Sequence, residues 1–159
     1  MIQRIQSVFL FLAFAATIAL YFYPLAGIIY SDLFTYKFYV YELKNMVPGE
    51  VSQFTFMTTF PLLLLNILVG GLSVICVFLY KNRIRQAKLV RLAILLDIAL
   101  IALVFFVYAG IIEKNLHATP EYLEAAGIYF PLISLIFLLL AYRFIMKDEK
   151  LVRSADRLR

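Results

Sequence analysis

One carboxylate, Asp97, lies inside an otherwise apolar stretch of the sequence, about 9 Å along a helix from the basic residue Arg91. A carboxylate in the hydrocarbon of a membrane costs about 2.5 to 3.5 kcal/mol even on a lenient insertion scale. Such a group forms a salt bridge or hydrogen bond that locks helices together, takes up and releases a proton or cation, or is a snorkelling or protonated side chain. The structural role is our first interpretation, because carriers usually place these groups nearer the membrane midplane.

Five candidate partners of Asp97 share its predicted depth. They are Arg4 and Gln6 of the first apolar segment, Ser73 of the second, and Tyr142 and Arg143 of the fourth. Two cations and a hydroxyl around one carboxylate would hold the helices closed or seat a partner. We therefore predict an intramembrane polar cluster of Asp97, Arg4, Arg143 and Ser73.

The other residues that could carry chemistry are isolated. The single cysteine, Cys76, cannot close an internal disulfide, and it lacks the second thiol that four-helix thiol oxidases of bacterial membranes need. The single histidine, His117, has no second histidine or cysteine nearby to complete a metal site. The sequence also lacks a nucleophile elbow, a phosphate-binding loop and a zinc-protease helix. These observations argue against an enzyme and predict no cofactor, no metal site and no catalytic residue.

Four apolar segments must position these residues, and each is long enough to cross about 30 Å of hydrocarbon as a helix. They cover residues 5–25, 56–80, 92–112 and 125–145, with an external loop at 26–55 and a tail at 146–159. Since lipid offers the backbone no hydrogen bonds, each segment must be helical. We predict a single all-α membrane domain: a four-transmembrane-helix bundle with a small extracytoplasmic β-hairpin-like loop between helices 1 and 2.

Lysine and arginine are distributed unevenly along this topology. Of the 15 basic residues, only Lys37, Lys44 and Lys114 fall in the two predicted external loops. The remainder lie at the opposite ends of the spans, in the middle loop or in the tail. By the positive-inside rule, both termini and the middle loop are predicted to be cytoplasmic.

The basic residues of the middle loop and the tail form a predicted lipid-facing set. Each exposed lysine or arginine near an anionic membrane surface is worth about 1 kcal/mol. Leu151, Val152 and Ala155 fall at helical spacing on one face of the tail, which predicts that the tail lies along the inner membrane surface. We therefore expect the bilayer, with anionic lipid at the cytoplasmic face, to be the partner, and no nucleic acid. The set consists of Lys81, Arg83, Arg85, Lys88, Arg91, Arg153 and Arg157.

The second segment carries a pattern typical of close helix packing. Asn66 and Gly70 lie four residues apart, hence on one helix face, and Gly71 adjoins them. A small residue lets a neighbouring helix approach, while the asparagine amide donates across the interface. Ala15 and Ala19 of the first segment have the same spacing and are the predicted facing surface.

The loop at 26–55 is the only sizeable segment between the predicted helices. Residues 33–43 are rich in residue types common in strands, and Phe34, Tyr36 and Phe38 occupy alternate positions. We predict a short strand pair with one apolar face. That face packs on the helix ends and membrane surface, which is the first interpretation, or on a binding partner.

The two ends of the chain have a distinctive sequence. It opens with MIQRIQS, closes with KDEKLVRSADRLR and carries a basic loop at 81–91. These features resemble a domain-of-unknown-function family whose members are small four-span inner-membrane proteins of Bacteroidota. The resemblance covers the whole chain and implies a multi-pass protein of the bacterial inner membrane. It supplies no activity, ligand or catalytic residue.

Three classes of function remain open. An accessory or scaffold subunit of a membrane complex, bound to a membrane-protein partner or to a second copy of the chain, explains the lack of catalytic constellations and ranks first. A small proton- or ion-coupled transporter would use Asp97 and would need a water-accessible path to it. A membrane enzyme acting on lipid or envelope precursors rests only on the basic inner face and the tyrosine-rich external loop.

Overall fold

The computed structural model describes residues 2–31, 34–46, 56–80, 82–116, 120–122 and 125–156. Among the predicted site residues, Lys81, His117 and Arg157 lie outside these ranges, as do the side chains of Arg4 and Arg153. The described chain is mostly helical, with four helices and one small sheet.

The helices are unequal in length. The first, α1, spans Ile2–Ala19, and the second, α2, spans Phe56–Phe78. The third is continuous from α3 (Arg83–Ala102) through a π-helical segment (Leu103–Tyr108) to α4 (Ala109–Leu116). The fourth consists of a 3₁₀ turn (Ala126–Ile128) and α5 (Tyr129–Asp156), so the helix continues well into the predicted tail.

Three of the four helices are long and apolar enough to cross a membrane: Met57–Phe78, Arg83–Lys114 and Ala126–Val152. The first helix differs from the predicted segment at 5–25, because α1 ends at Ala19. Its last turn tightens where the Tyr21 N–H donates to the Ile18 carbonyl. Leu20 and Leu25 are then buried in the core next to the sheet rather than extending the helix.

The sheet has the strand order β3-β2-β1-β4, and every neighbouring pair is antiparallel. The strands are β1 (Ala26–Ser31), β2 (Phe34–Phe38), β3 (Leu43–Asn45) and β4 (Pro120–Glu121). The prediction of a small strand pair is confirmed, and Tyr36 and Phe38 of its apolar face are buried. Two further strands were not predicted. β1 continues an apolar run that was assigned to the first span, and β4 pairs only through residues distant in sequence.

The helices form a ring in which α1 and α3 each contact α2 and α5. Two clusters of buried apolar residues fill the interior. The sheet-side cluster joins the buried strand residues to Leu20, Leu62, Leu100, Val104 and Ile128. The far-end cluster contains Leu10, Ala13, Val69, Ala93 and Leu138. The buried side of the sheet therefore packs on the ends of the helices.

Candidate functional site

Four buried polar side chains, one from each helix, lie between the two apolar clusters. Asp97, for example, is preceded by Ala93 of the far-end cluster and followed by Leu100 of the sheet-side cluster. We call these four residues the polar layer. They are Thr17, Asn66, Asp97 and Ser134, with exposed fractions of 6%, 2%, 1% and 0%.

Two residues of the polar layer, Asn66 and Thr17, connect α2 to the end of α1. The Asn66 Nδ2 donates to the Thr17 carbonyl at 3.1 Å. That carbonyl belongs to the last turn of α1, where backbone acceptors lose their partners inside the helix. The Thr17 hydroxyl in turn donates to the Phe14 carbonyl at 2.7 Å. Asn66 therefore acts across the helix interface as a cap of α1.

The glycine beside this contact marks a close approach of the two helices. A Cβ placed on Gly70 would lie 2.8 Å from the Thr17 Oγ1, whereas one on Gly71 would meet nothing within 4 Å. The facing residue of α1 is therefore Thr17, and Ala15 is exposed while Ala19 is only half-buried. Ala15 lies about 200° around the helix from Thr17, at about 100° per residue, so the two cannot face the same neighbour.

The other two residues of the polar layer, Asp97 and Ser134, lie between α3 and α5. The Ser134 hydroxyl lies beside the Asp97 carboxyl. Neither the Asp97 Oδ2 nor the Ser134 Oγ makes a hydrogen bond of full geometry, although both side chains are buried. Buried polar atoms in proteins nearly always have a hydrogen-bond partner. The Asp97 and Ser134 side chains therefore retain unused hydrogen-bonding capacity.

The position of Ser134 places this pair close to the middle of the fourth helix. At about 1.5 Å per residue, Ser134 lies about 12 Å from Ala126 and about 14 Å from Arg143 along the helix axis. Asp97 therefore lies nearer the middle of the apolar region than its separation from Arg91 alone indicated.

The structure separates the predicted cluster around Asp97. Arg143 is exposed, and the Ser73 hydroxyl donates within its own helix to the Val69 carbonyl at 2.8 Å. The contacts described for Asp97 include neither of them. Ser134 was not among the predicted partners, although the one hydroxyl between Pro131 and Ala141 is a signal that the sequence carries.

Further buried donors tie one element to the backbone of another. The Gln86 Nε2 donates to the Cys76 carbonyl at 2.9 Å, next to the end of α2, and the Gln6 Nε2 donates to the Phe144 carbonyl at 3.2 Å. Cys76 itself is buried. Each bond satisfies a backbone acceptor inside the helix assembly, where water cannot do so.

Two tyrosine hydroxyls also donate to backbone carbonyls, and both hydrogen bonds involve the π-helical segment. The Tyr108 hydroxyl donates to the Thr58 carbonyl of α2, and the Tyr122 hydroxyl donates to the Val104 carbonyl at 3.3 Å. Burial raises the pKa of Tyr122, which keeps its hydroxyl protonated and able to donate. The π-helical segment thus connects α2 to the loop that carries β4.

The basic residues gather at the end of the molecule opposite the sheet. The Arg83 Nε lies 2.7 Å from the Asp148 Oδ2, which links the start of α3 to α5. The Arg91 Nε donates to the Tyr142 hydroxyl at 2.8 Å, and its guanidinium lies 5.0 Å from the centre of that ring. Arg85 and Lys88 are exposed. Within the described ranges, no group of three metal-ligating side chains could hold a metal ion.

Comparison with known proteins identifies a family. The family model of a domain of unknown function, DUF4293, matches residues 2–158, so the chain belongs to that family. The resemblance of the chain to a family of unknown function is thereby confirmed. A search of the curated proteins found no match.

Proposed function

We propose that this member of the DUF4293 family is a multi-pass protein of the bacterial inner membrane that serves as a non-enzymatic accessory subunit of a membrane complex. One observation carries the proposal: most of the buried side-chain donors described above are committed to backbone carbonyls of neighbouring elements. A catalytic or transport site keeps its polar groups available to a substrate. Here they hold the helices and the sheet together instead.

The proposed membrane placement follows from the two ends of the molecule. Three helices are long and apolar enough to cross a membrane, and α1 is the proposed fourth span. The basic end, with Arg83, Lys88 and Arg91, would face the cytoplasm together with both termini. The sheet would then cover the external end of a four-helix bundle, and partners in the aqueous phase would meet the molecule at these two ends.

Co-purification tests the accessory role. The tagged protein would be extracted from its native membrane in a mild detergent or in nanodiscs, and co-purifying proteins would be quantified by mass spectrometry. We expect a partner in a fixed stoichiometry. Charge reversal of exposed Lys44 on the sheet, compared with charge reversal of exposed Arg143 near the basic end, would tell which surface holds it. Isolation of the protein alone, in nanodiscs as well as in several detergents, would contradict the proposal.

A proton- or ion-coupled transporter is the second candidate, and the pair of Asp97 and Ser134 favours it. A carboxyl with unused hydrogen-bonding capacity, midway along an apolar helix pair, is a group that could bind a proton or cation. In this case Asp97→Asn should abolish flux in proteoliposomes while the thermal midpoint stays unchanged.

Purified protein in proteoliposomes loaded with a pH-sensitive dye gives the measurement. Wild-type flux above that of empty liposomes, lost in Asp97→Asn and retained in Arg85→Gln, would replace the accessory role by transport. Equal and negligible flux in all three proteins is the result expected of an accessory subunit.

A further inference from the structure

Two openings lie along the interface between the third and fourth helices. The basic opening, of about 190 Å³, is lined by Arg83, Lys88, Arg91 and Glu149 over an apolar floor that includes Ile84 and Met146. The apolar groove, of about 360 Å³, is lined by Ile98, Ala102 and Phe105 of the third helix and by Leu132 and Leu135 of the fourth.

Helical spacing shows that the residues lining the two openings lie on one continuous face of each helix, and we call this surface the stripe. On the third helix, the lining positions 84, 88 and 91 lead to 98, 102 and 105 in steps of three and four residues, with position 95 between them. On α5, positions 149 and 146 lead to 135 and 132 in the same way. Steps of three and four keep residues on one helix face. Leu95 fills the interval on the third helix, and Tyr142 and Leu139 fill it on α5. Leu95 and Leu139 are 63% and 49% exposed, so an open apolar surface continues from the half-buried Tyr142 ring to the apolar groove.

Charge distinguishes the basic opening from the rest of the stripe. Lys88 and Arg91 are exposed there, while Arg83 is paired with Asp148. Arg91 is held in place by Tyr142 through its Nε, and an arginine carries four more N–H donors on its terminal nitrogens. Glu149 is the one acid lining the opening. Since Arg83 is paired with Asp148, Lys88 and Arg91 together outweigh the single negative charge of Glu149 and leave the opening with a net positive charge.

We propose that this stripe binds one anionic phospholipid, with the phosphate between Lys88 and Arg91 and one acyl chain along the apolar groove. The dimensions agree: Arg91 to Ala102 is about 16 Å along the helix, and one leaflet contributes about half of the 30 Å hydrocarbon thickness. Basic pockets between helices at the cytoplasmic side suit phosphate head groups, and an arginine fork suits phosphate oxygens. The site rests on the proposed membrane placement and deepens it by naming a lipid class.

Binding of phosphatidylglycerol and phosphatidylethanolamine to delipidated protein in detergent, followed by native mass spectrometry, tests the head-group end. Each cation near an anionic lipid contributes a factor of about five, so the double variant Lys88→Gln/Arg91→Gln should bind phosphatidylglycerol about 30-fold more weakly. Its affinity for zwitterionic phosphatidylethanolamine should stay within about twofold of wild type, because the ammonium of that head group cancels the charge of its phosphate and leaves the lipid with no net charge. An unchanged affinity for phosphatidylglycerol would overturn the site.

Arg85→Gln is the matched control. Arg85 is exposed on the same helix but lies off the stripe, so its loss removes one charge without touching the opening. Arg85 belongs to the predicted lipid-facing set but does not line the opening, so its loss should weaken phosphatidylglycerol binding much less than Lys88→Gln does. If Arg85→Gln weakened binding as much as Lys88→Gln, the lipid would be held by general surface charge and the specific site would be wrong.

The acyl-chain end needs a separate variant. Ala102→Phe places a large side chain in the apolar groove and should weaken long-chain phosphatidylglycerol at least fivefold, with little effect on a dihexanoyl analogue. Equal loss of both lipids, or full displacement by inorganic phosphate, would contradict a lipid that uses the groove. The thermal midpoint of each variant in lipid-free detergent shows whether the fold is retained. If phosphatidylglycerol does not bind although labelling places the basic end in the cytoplasm, the lipid site is wrong and the proposed membrane placement is retained.

Discussion

At the scale of single residues, the close contacts of two glycines decide how the helices meet. Gly70 brings α2 against Thr17, and the Asn66 amide then reaches the free carbonyl of the last α1 turn. At the other corner of the ring, the Gly127 N–H donates to the Pro24 carbonyl at 2.9 Å, so the start of the fourth helix touches the segment between α1 and β1. Neither contact leaves room for a methyl group.

Two adjacent glycines provide a matched test of the first contact. Gly70→Ala would press a methyl group against the Thr17 Oγ1, while Gly71→Ala would extend into open space. Overpacking costs about 1 to 3 kcal/mol, and alanine is otherwise a better helix former than glycine. We expect the free energy of unfolding, measured by SDS titration in mild detergent, to fall by about that amount in Gly70→Ala relative to Gly71→Ala. Equal stability of the two variants would show that α1 does not approach α2 at Gly70.

Gly127→Ala tests the second contact. Its methyl group would overlap the Pro24 carbonyl, and 2.7 Å would separate it from the Tyr23 carbonyl. Both are backbone atoms, which cannot rotate away, so we expect a loss on the order of 3 kcal/mol. The thermal midpoint in detergent gives the measurement, with Gly71→Ala as control. A midpoint equal to that of the control would show that the segment between α1 and β1 does not approach Gly127.

At the scale of elements, the π-helical segment has a definite role. A π-helical turn adds a residue to the helix and changes which side chains face inward, and such turns are often found at functional sites. Here Val104 and Tyr108 are buried, and the Tyr108 hydroxyl reaches α2 near Pro61, the proline that lacks an N–H for the helix. The groove lined by Ala102 and Phe105 lies on the outer side of the same segment.

Tyr108→Phe measures the contribution of this contact. Removal of the hydroxyl leaves the Thr58 carbonyl without that donor, and side-chain hydrogen bonds of this kind in membrane proteins are worth about 0.6 kcal/mol on average, up to about 1.7. We expect the free energy of unfolding by SDS titration to fall within this range. Tyr80→Phe, at an exposed position beyond α2, should leave it unchanged. If the free energy of unfolding is unchanged in both variants, the Tyr108 hydroxyl does not stabilise the contact with α2.

At the scale of the whole molecule, the two ends are chemically different. The sheet and its buried aromatic residues close one end, and Arg83, Arg85, Lys88 and Arg91 gather at the other. An asymmetric distribution of lysine and arginine is the main determinant of orientation in a membrane. The end with the sheet is therefore the one expected outside the cytoplasm.

Cysteine labelling in intact cells tests this orientation. In a Cys76→Ser background, Lys44→Cys on the sheet should react with a membrane-impermeant maleimide, because Lys44 is exposed. Ser154→Cys, near the end of α5 and also exposed, should react only in inverted vesicles or after permeabilisation. The opposite pattern would reverse the topology and remove the basis for a cytoplasmic lipid site.

Sequence alone determined the helical character of the four apolar segments, although the first helix ends at Ala19, and the apolar face of the small strand pair. Both follow from local physics: a long apolar stretch needs internal backbone hydrogen bonds, and alternate residues of a strand share one face. It also identified Asn66 and Gly70, since small and amide-bearing residues four apart mark a helix interface.

Tertiary structure decided which partners these residues meet. The rotation of α1 brings Thr17 rather than Ala15 to Gly70, and the pairing of α3 with α5 brings Ser134 rather than Arg143 to Asp97. The strand β4 exists only because it pairs with β1. Partner choice depends on the relative rotation and height of packed helices, which side-chain packing over the whole interior determines and no local pattern in the sequence encodes.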